Sequence, residues 1–213
     1  MKIFILGCSY TNGRVKNQKV IEHTWPYLLY EQTGHTIYNF AEAGSNNVFN
    51  TRLLEDNLEE ISPDLVIYQY AEPYRFYFYP ESTDHNVWKY VEQKENYYYF
   101  RKDLDGDFLF FGPSYYKLSY PKDFDAKKSI KSYYKHFQND LIEYIERANQ
   151  CYTVELLKNY KTIFINWYTH QPFDCDICAE TDIGFDKQTT CDDVNHFSLY
   201  GNQRMVDLLK GHL

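Results

Sequence analysis

Residues 1–14 read MKIFILGCSYTNGR, and the way this stretch ends decides the fold. Lys2–Leu6 is a short apolar run rich in β-formers, which reads as a buried first strand. It runs straight into Gly7-Cys8-Ser9 and a polar turn, Tyr10-Thr11-Asn12-Gly13. Three explanations suit a strand that stops on Cys-Ser: a lipoprotein processing site, an ordinary strand-to-helix turn, or a nucleophile carried on the end of the strand. Leu6-Gly7-Cys8 resembles a lipobox. A secretory leader, however, needs a charged start and an apolar stretch of about 7–15 residues, and the run before Gly7 is too short for one.

Outward from that strand the pattern alternates. Val20, Ile21, Trp25, Leu28 and Leu29 fall near helical spacing within residues 17–33, with Pro26 marking a fresh helical start at Trp25 and Gly34 an end. Residues 35–41 alternate like a strand, and Gly44-Ser45-Asn46-Asn47 is a turn. Residues 48–60 read as a helix that stops before Ser62-Pro63, and residues 64–70 as another buried strand. The order β-α-β-α-β predicts a parallel sheet with helices on both faces. Ligands of such sheets bind at the carboxyl ends of the strands. Ser9, the Gly44 turn and the segment after Tyr70 all follow strands, so they share one rim.

Residues 74–128 break the alternation with Tyr and Phe clusters, Gly112-Pro113 and Pro121. They read as an aromatic-rich insertion or cap, with room for hairpins, inside a single domain spanning 1–213. A long helix is expected over about 129–159, a buried strand over 161–167, loop over 168–192, and a closing helix over 197–213.

Composition excludes several classes. Lys plus Arg is 22 against 30 for Asp plus Glu, a formal charge of −8, which argues against general affinity for nucleic-acid backbone. No apolar run approaches the roughly 18 residues of a membrane helix. With 23 Tyr, 15 Phe and 3 Trp, the chain is too aromatic for disorder; the rings are partly buried or line a cleft for a sugar, base or acyl chain. The five cysteines, at 8, 151, 175, 178 and 191, are odd in number and follow no leader, so reduced thiols and a cytoplasmic location are expected.

No cofactor motif is present: there is neither a phosphate loop nor a G-x-G-x-x-G pattern. Cys175-Asp-Ile-Cys178 with Cys191 and His170 could form a Cys₃His metal site, but one C-x₂-C pair with generic spacing equally describes free thiols. Lys122, Lys127, Lys128, Lys131 and Lys135 read as a solvated face. Cys8 reads as a small buried hydrophobe.

A serine nucleophile needs a base, and the base an orienting group. Cys191-Asp-Asp193-Val-Asn-His196 supplies both, since a carboxylate three residues before an imidazole can lie beside it. The competing explanation is that Asp193 or Asn195 caps the last helix.

Taken in order, Gly7-Cys8-Ser9 after the first strand, Gly44-Ser45-Asn46-Asn47 after the second, Asp193-Val-Asn-His196 before the last helix, and Gly201 beyond it resemble the SGNH hydrolases, or GDSL-like esterases. The resemblance implies a three-layer α/β/α, flavodoxin-like fold. It implies that Ser9 attacks an ester carbonyl, His196 serves as general base and then acid, and Asp193 orients His196. It further implies that the amides of Ser9 and Gly44 stabilise the oxyanion. The family's Gly-x-Asn-Asp should follow the strand ending near Tyr70; here Gln69-Tyr-Ala-Glu-Pro-Tyr-Arg75 stands in its place. Asn46 or Asn47 could replace that donor, or Arg75 could meet an anionic substrate group. A segment of this kind resembles SGNH-type proteins encoded by phages. The expected activity is removal of a small acyl group, such as O-acetyl, from a carbohydrate or other small substrate, with neither cofactor nor nucleic-acid partner. The alternative is a weak or inactive binding protein that uses the aromatic-rich insertion.

Overall fold

The structure is a computed structural model that describes residues 1–12, 14–15, 18–19, 21–73, 76–78, 88–102, 109–111, 139–171, 173–186, 189–190 and 196–213. In chain order the elements are β1 (Lys2–Leu6), α1 (Ser9–Asn12), β2 (Arg14–Val15), β3 (Gln18–Lys19), a 3₁₀ turn at Ile21–His23, α2 (Trp25–Thr33), β4 (Thr36–Asn39), α3 (Asn47–Ile61) and β5 (Leu65–Gln69). There follow β6 (Phe76–Phe78), β7 (Trp88–Lys94), β8 (Tyr97–Lys102), β9 (Leu109–Phe111), α4 (Asn139–Leu157), β10 (Thr162–Asn166), β11 (Ile177–Cys178), α5 (Ala179–Asp182) and α6 (Leu199–Lys210).

The main sheet has the order β11-β10-β5-β1-β4-β8-β7. Every neighbouring pair is parallel except the edge pair β7 and β8. Without the β7–β8 hairpin, the strands run second, first, third, fourth, fifth in chain order, the flavodoxin-like winding. β1 is central, so its carboxyl end lies where the connections diverge to either side, and Ser9 stands at that point.

The two faces of the sheet are set by the two-residue period of the strands. Ile3, Ile5, Ile37, Leu65, Ile67, Ile163 and Ile165 point into one core with Trp25 and Leu29 of α2 and Met205, Val206 and Leu209 of α6. Phe4, Leu6, Val66 and Tyr68 point into the other with Phe49, Leu53, Leu54, Leu58 and Ile61 of α3 and Leu157 of α4. The result is the expected three-layer α/β/α arrangement.

Helix boundaries follow local chemistry. α2 carries Pro26 in its first turn and ends on Gly34 at φ 65°, whose N–H donates to Tyr30 O. α3 is capped by the Asn46 side chain, which accepts from Phe49 N, and stops at Ser62 before Pro63. Two local expectations differ from the structure. Residues 168–192 are not all loop: β11 and α5 lie there, both too short to leave a period in the sequence. The closing helix begins at Leu199 and is capped by Ser198, whose hydroxyl accepts from Gly201 N, so a capping role for Asp193 or Asn195 falls away. In the region expected as an insertion, the β7–β8 hairpin extends the main sheet beside β4, and β6 pairs antiparallel with β9. The first ten residues of the long helix expected over 129–159, and the basic run at 122–135, lie outside the described residues.

Replacing Ser198 with Ala removes the cap of α6. Urea unfolding should show a loss of about 1 kcal/mol, with the slope unchanged.

Candidate active site

The turn that delivers Ser9 is tied down by both neighbouring strands. Cys8 O accepts the amides of Thr11 and Asn12 at 3.0 and 2.9 Å, which closes α1. On the β5 side, Gln69 Oε1 accepts Cys8 N at 2.9 Å, Cys8 Sγ at 3.3 Å and Thr11 Oγ1 at 3.2 Å. On the β4 side, Gly7 O accepts Glu42 N at 3.1 Å and the Ser45 hydroxyl at 2.9 Å. Asn12 Nδ2 adds a bond to Ala41 O at 2.7 Å. A Cβ on Gly7 would stand 2.7 Å from Thr11 Oγ1 and 2.8 Å from Gln69 Oε1, so close approach of these side chains requires glycine there. Gly44, at φ 83°, needs glycine for its backbone.

Ser9 is 4% exposed, and its Oγ bonds to no described residue. Nor do the amides of Ser9 or Gly44 donate to a described residue. A buried hydroxyl without a partner costs about 1–3 kcal/mol, so its persistence asks for an explanation beyond packing.

His196 is buried and arrives from the other end of the chain. Its ring lies 5.0 Å from that of Tyr10, the residue after Ser9, tilted by 43°. Ser198 N donates to Thr189 O at 2.8 Å and fixes the segment that carries the histidine. A Cβ on Gly201 would lie 2.1 Å from Thr189 O, so a bare glycine lets α6 seat against that segment. Asp193 and Arg75 lie outside the described residues.

The side chains of Asn46 and Asn47 are both engaged with backbone. Asn46 holds the N-terminus of α3. Asn47 brackets Ala71: its Oδ1 accepts Ala71 N at 2.7 Å, and its Nδ2 donates to Ala71 O at 3.2 Å and to Glu146 Oε2 at 2.7 Å. Gln171 Oε1 accepts the amides of Trp167 and Tyr168, while its Nε2 donates to Tyr70 O and Ala71 O. Gln69 Nε2 also donates to Tyr70 O. The segment after β5 is therefore held by three amide side chains.

An aromatic wall flanks Ser9. Tyr10 stacks on Trp167 with centroids 4.5 Å apart, and its hydroxyl shares a 3.0 Å hydrogen bond with that of Tyr168. Burial, then the Glu72 charge, pushes the Tyr10 phenol far up, so it stays neutral. Trp167 packs on Phe197, beside His196.

Gln69, Gln171, Tyr10 and Trp167 were not among the sequence candidates. The one signal for Gln69 was an amide closing an otherwise apolar strand, Leu65–Gln69. Cys175 and Cys178 are free thiols, Cys191 lies outside the described residues, and among the described residues no group of three His, Cys, Asp or Glu side chains could hold a metal. No described helix is long and apolar enough to cross a membrane.

The three-layer fold is shared with solved structures of lipolytic and esterase proteins. Among solved structures, the chain is similar to a protein assigned to the lipolytic G-D-S-L family from Desulfitobacterium hafniense DCB-2, with a TM-score of 0.56 at 12% identity, covering 100% of this chain and 99% of that one. It is also similar to the psychrotrophic esterase EstA from Pseudoalteromonas sp., in a structure inhibited by monoethylphosphonate, with a TM-score of 0.52 at 14% identity, covering 99% and 97%. No family model and no curated protein sequence matches the chain.

Glu146, buried on α4, gives this region a pH signature. Burial raises its carboxyl from 4.5 to about 7 against the opposing hydrogen bond from Asn47. The folded chain binds this proton more tightly than the unfolded chain. Stability from this group is thus full below about pH 4.5 and falls as pH rises through about 7, by on the order of 3 kcal/mol. Glu146→Gln keeps an acceptor for Asn47 and should abolish that slope in urea titrations taken from pH 4.5 to pH 8.

Proposed function

We propose that the protein is a serine-dependent ester hydrolase. The observation that carries this reading is the buried Ser9 Oγ, without a described partner, at the central strand end and one residue from the ring that touches His196. The esterase and lipolytic neighbours support the same class.

In the proposed reaction Ser9 Oγ attacks the ester carbonyl while His196 takes its proton. The amides of Ser9 and Gly44 receive the oxyanion, each worth about 3–4 kcal/mol in typical sites. His196 returns the proton to the leaving alcohol, and water repeats the sequence on the acyl-enzyme. Asp193 is assigned the orienting role beside His196. Asn46 is the nearest side-chain amide to the Gly44 turn in sequence, and Arg75 is assigned to an anionic group on the substrate. The tight surroundings of Ser9 favour a small acyl group such as O-acetyl, carried by a carbohydrate or other small alcohol.

One observation favours the weaker alternative, a poorly active or inert binding protein. The Asn47 amide, a candidate replacement for the missing donor, is engaged with Ala71 and Glu146.

A fluorophosphonate probe separates the two. Wild type should be labelled on Ser9, and Ser9→Ala should not be labelled and should lose at least about 10³-fold in p-nitrophenyl acetate hydrolysis while keeping its unfolding midpoint. Absence of labelling in wild type supports the inert protein.

A further inference from the structure

We propose that Gln69 is the positioning residue of the nucleophile turn; this rests on the reading of Ser9 as nucleophile. The inference comes from the peptide between Gly7 and Cys8. A trans peptide is a rigid plane whose C=O and N–H point in opposite directions, and the described chain has no cis bond. At one end of this plane Gly7 O is held by Glu42 N and Ser45 Oγ from the Gly44 turn. At the other end Cys8 N is held by Gln69 Oε1. The next plane is fixed as well, because Cys8 O accepts Thr11 N and Asn12 N. With that carbonyl aimed into α1, the Ser9 N–H points the opposite way, out of the turn. The direction of the proposed oxyanion donor and the place of Ser9 Oγ thus follow from two consecutive planes, one of which depends on Gln69.

The placement of Gln69 suits this task. It is 1% exposed and is the last residue of β5. Its Oε1 gathers three donors, Cys8 N, Cys8 Sγ and Thr11 Oγ1. Its Nε2 is fastened to Tyr70 O, which Gln171 Nε2 also reaches at 3.3 Å. Loss of the acceptor leaves the Cys8 amide buried and unpaired, and the plane is then free to rotate toward another partner. Misplacement of a reacting group by about 1 Å can reduce a rate 10²-fold.

The test is the rate at which a fluorophosphonate labels Ser9 in folded protein at 10 °C, read by mass spectrometry for wild type, Gln69→Met, Gln69→Glu and Thr11→Val. Gln69→Met keeps the volume and removes the acceptor; its labelling should slow about 10- to 100-fold. Per folded molecule, with the folded fraction read by circular dichroism, its kcat for p-nitrophenyl acetate should fall while KM stays within about twofold; loss of stability alone lowers the folded fraction and leaves kcat per folded molecule unchanged. Gln69→Glu keeps the acceptor and should recover labelling to within about fivefold of wild type. Gln69→Met labelled within twofold of wild type overturns the proposal while leaving the esterase reading intact. Wild type that is not labelled overturns both. Should Gln69→Met fail to fold, Thr11→Val and Gln69→Glu decide. Labelling slower by more than threefold in Thr11→Val, with near-normal labelling in Gln69→Glu, supports the role; the reverse order overturns it.

Discussion

The Gly7–Cys8 peptide is gripped from both neighbouring strands, and the arrangement of the whole rim depends on it. Strands of a parallel sheet are buried on both faces, so the first peptides beyond their carboxyl ends emerge into protein rather than water. Their N–H and C=O groups still need partners. Here the partners are supplied sideways. Ser45 and Glu42 reach in from the β4 side, Gln69 reaches from β5, and Gln171, after β10, closes on the segment after β5. Each tie joins the loop of one strand to the loop of the next, so the loops after β1, β4, β5 and β10 cannot shift independently.

Two kinds of interaction divide the task of building this protein. Burial of Ile3, Ile5, Phe4 and Leu6 against opposite helix layers is worth roughly 1.5–3 kcal/mol per side chain and makes the sheet. A single buried hydrogen bond contributes only about 1 kcal/mol net, but leaving its donor or acceptor unpaired costs about 1–3 kcal/mol. The polar ties therefore contribute little to whether the chain folds and a great deal to where its loops stop. The same asymmetry separates Ser9 from its surroundings. Gly7 O, Cys8 N, Cys8 O and the Thr11 hydroxyl are all engaged, while the Ser9 hydroxyl is bonded to no described residue.

Much of this was legible in the sequence, for physical reasons that differ by element. β1 and β5 could be read because a strand buried on both faces must be apolar throughout, and α3 because polar capping residues stand at its start and Ser62-Pro63 follows its end. The rim followed from winding alone. β11 and α5 could not be read, since two strand residues and one helical turn carry no period. The identity of the α6 cap was obscured by acidic and amide residues upstream of Ser198 that look equally able to cap. Gln69 and Gln171 were invisible for another reason. An isolated glutamine has no spacing signature, and its role appears only when strands far apart in sequence are placed side by side.

The segment after β5 bears most directly on chemistry. The family pattern leads one to expect a side-chain donor there, whereas this chain puts Tyr70-Ala71-Glu72. The Tyr70 and Ala71 carbonyls accept from Gln69, Gln171 and Asn47, so the amides near this wall are turned toward the backbone. If Ser9 is the nucleophile, the charge developing on its substrate depends chiefly on the peptide amides of Ser9 and Gly44. One missing oxyanion donor typically corresponds to about 10²–10³ in rate. A peptide donor cannot be re-aimed by a rotamer; its direction is set by the plane on either side. A site that relies on such donors is therefore more sensitive to the orientation of its first turn than one that also has a side-chain amide. The convergence of Cys8 N, Cys8 Sγ and Thr11 Oγ1 on one buried glutamine oxygen fixes the orientation of that first turn.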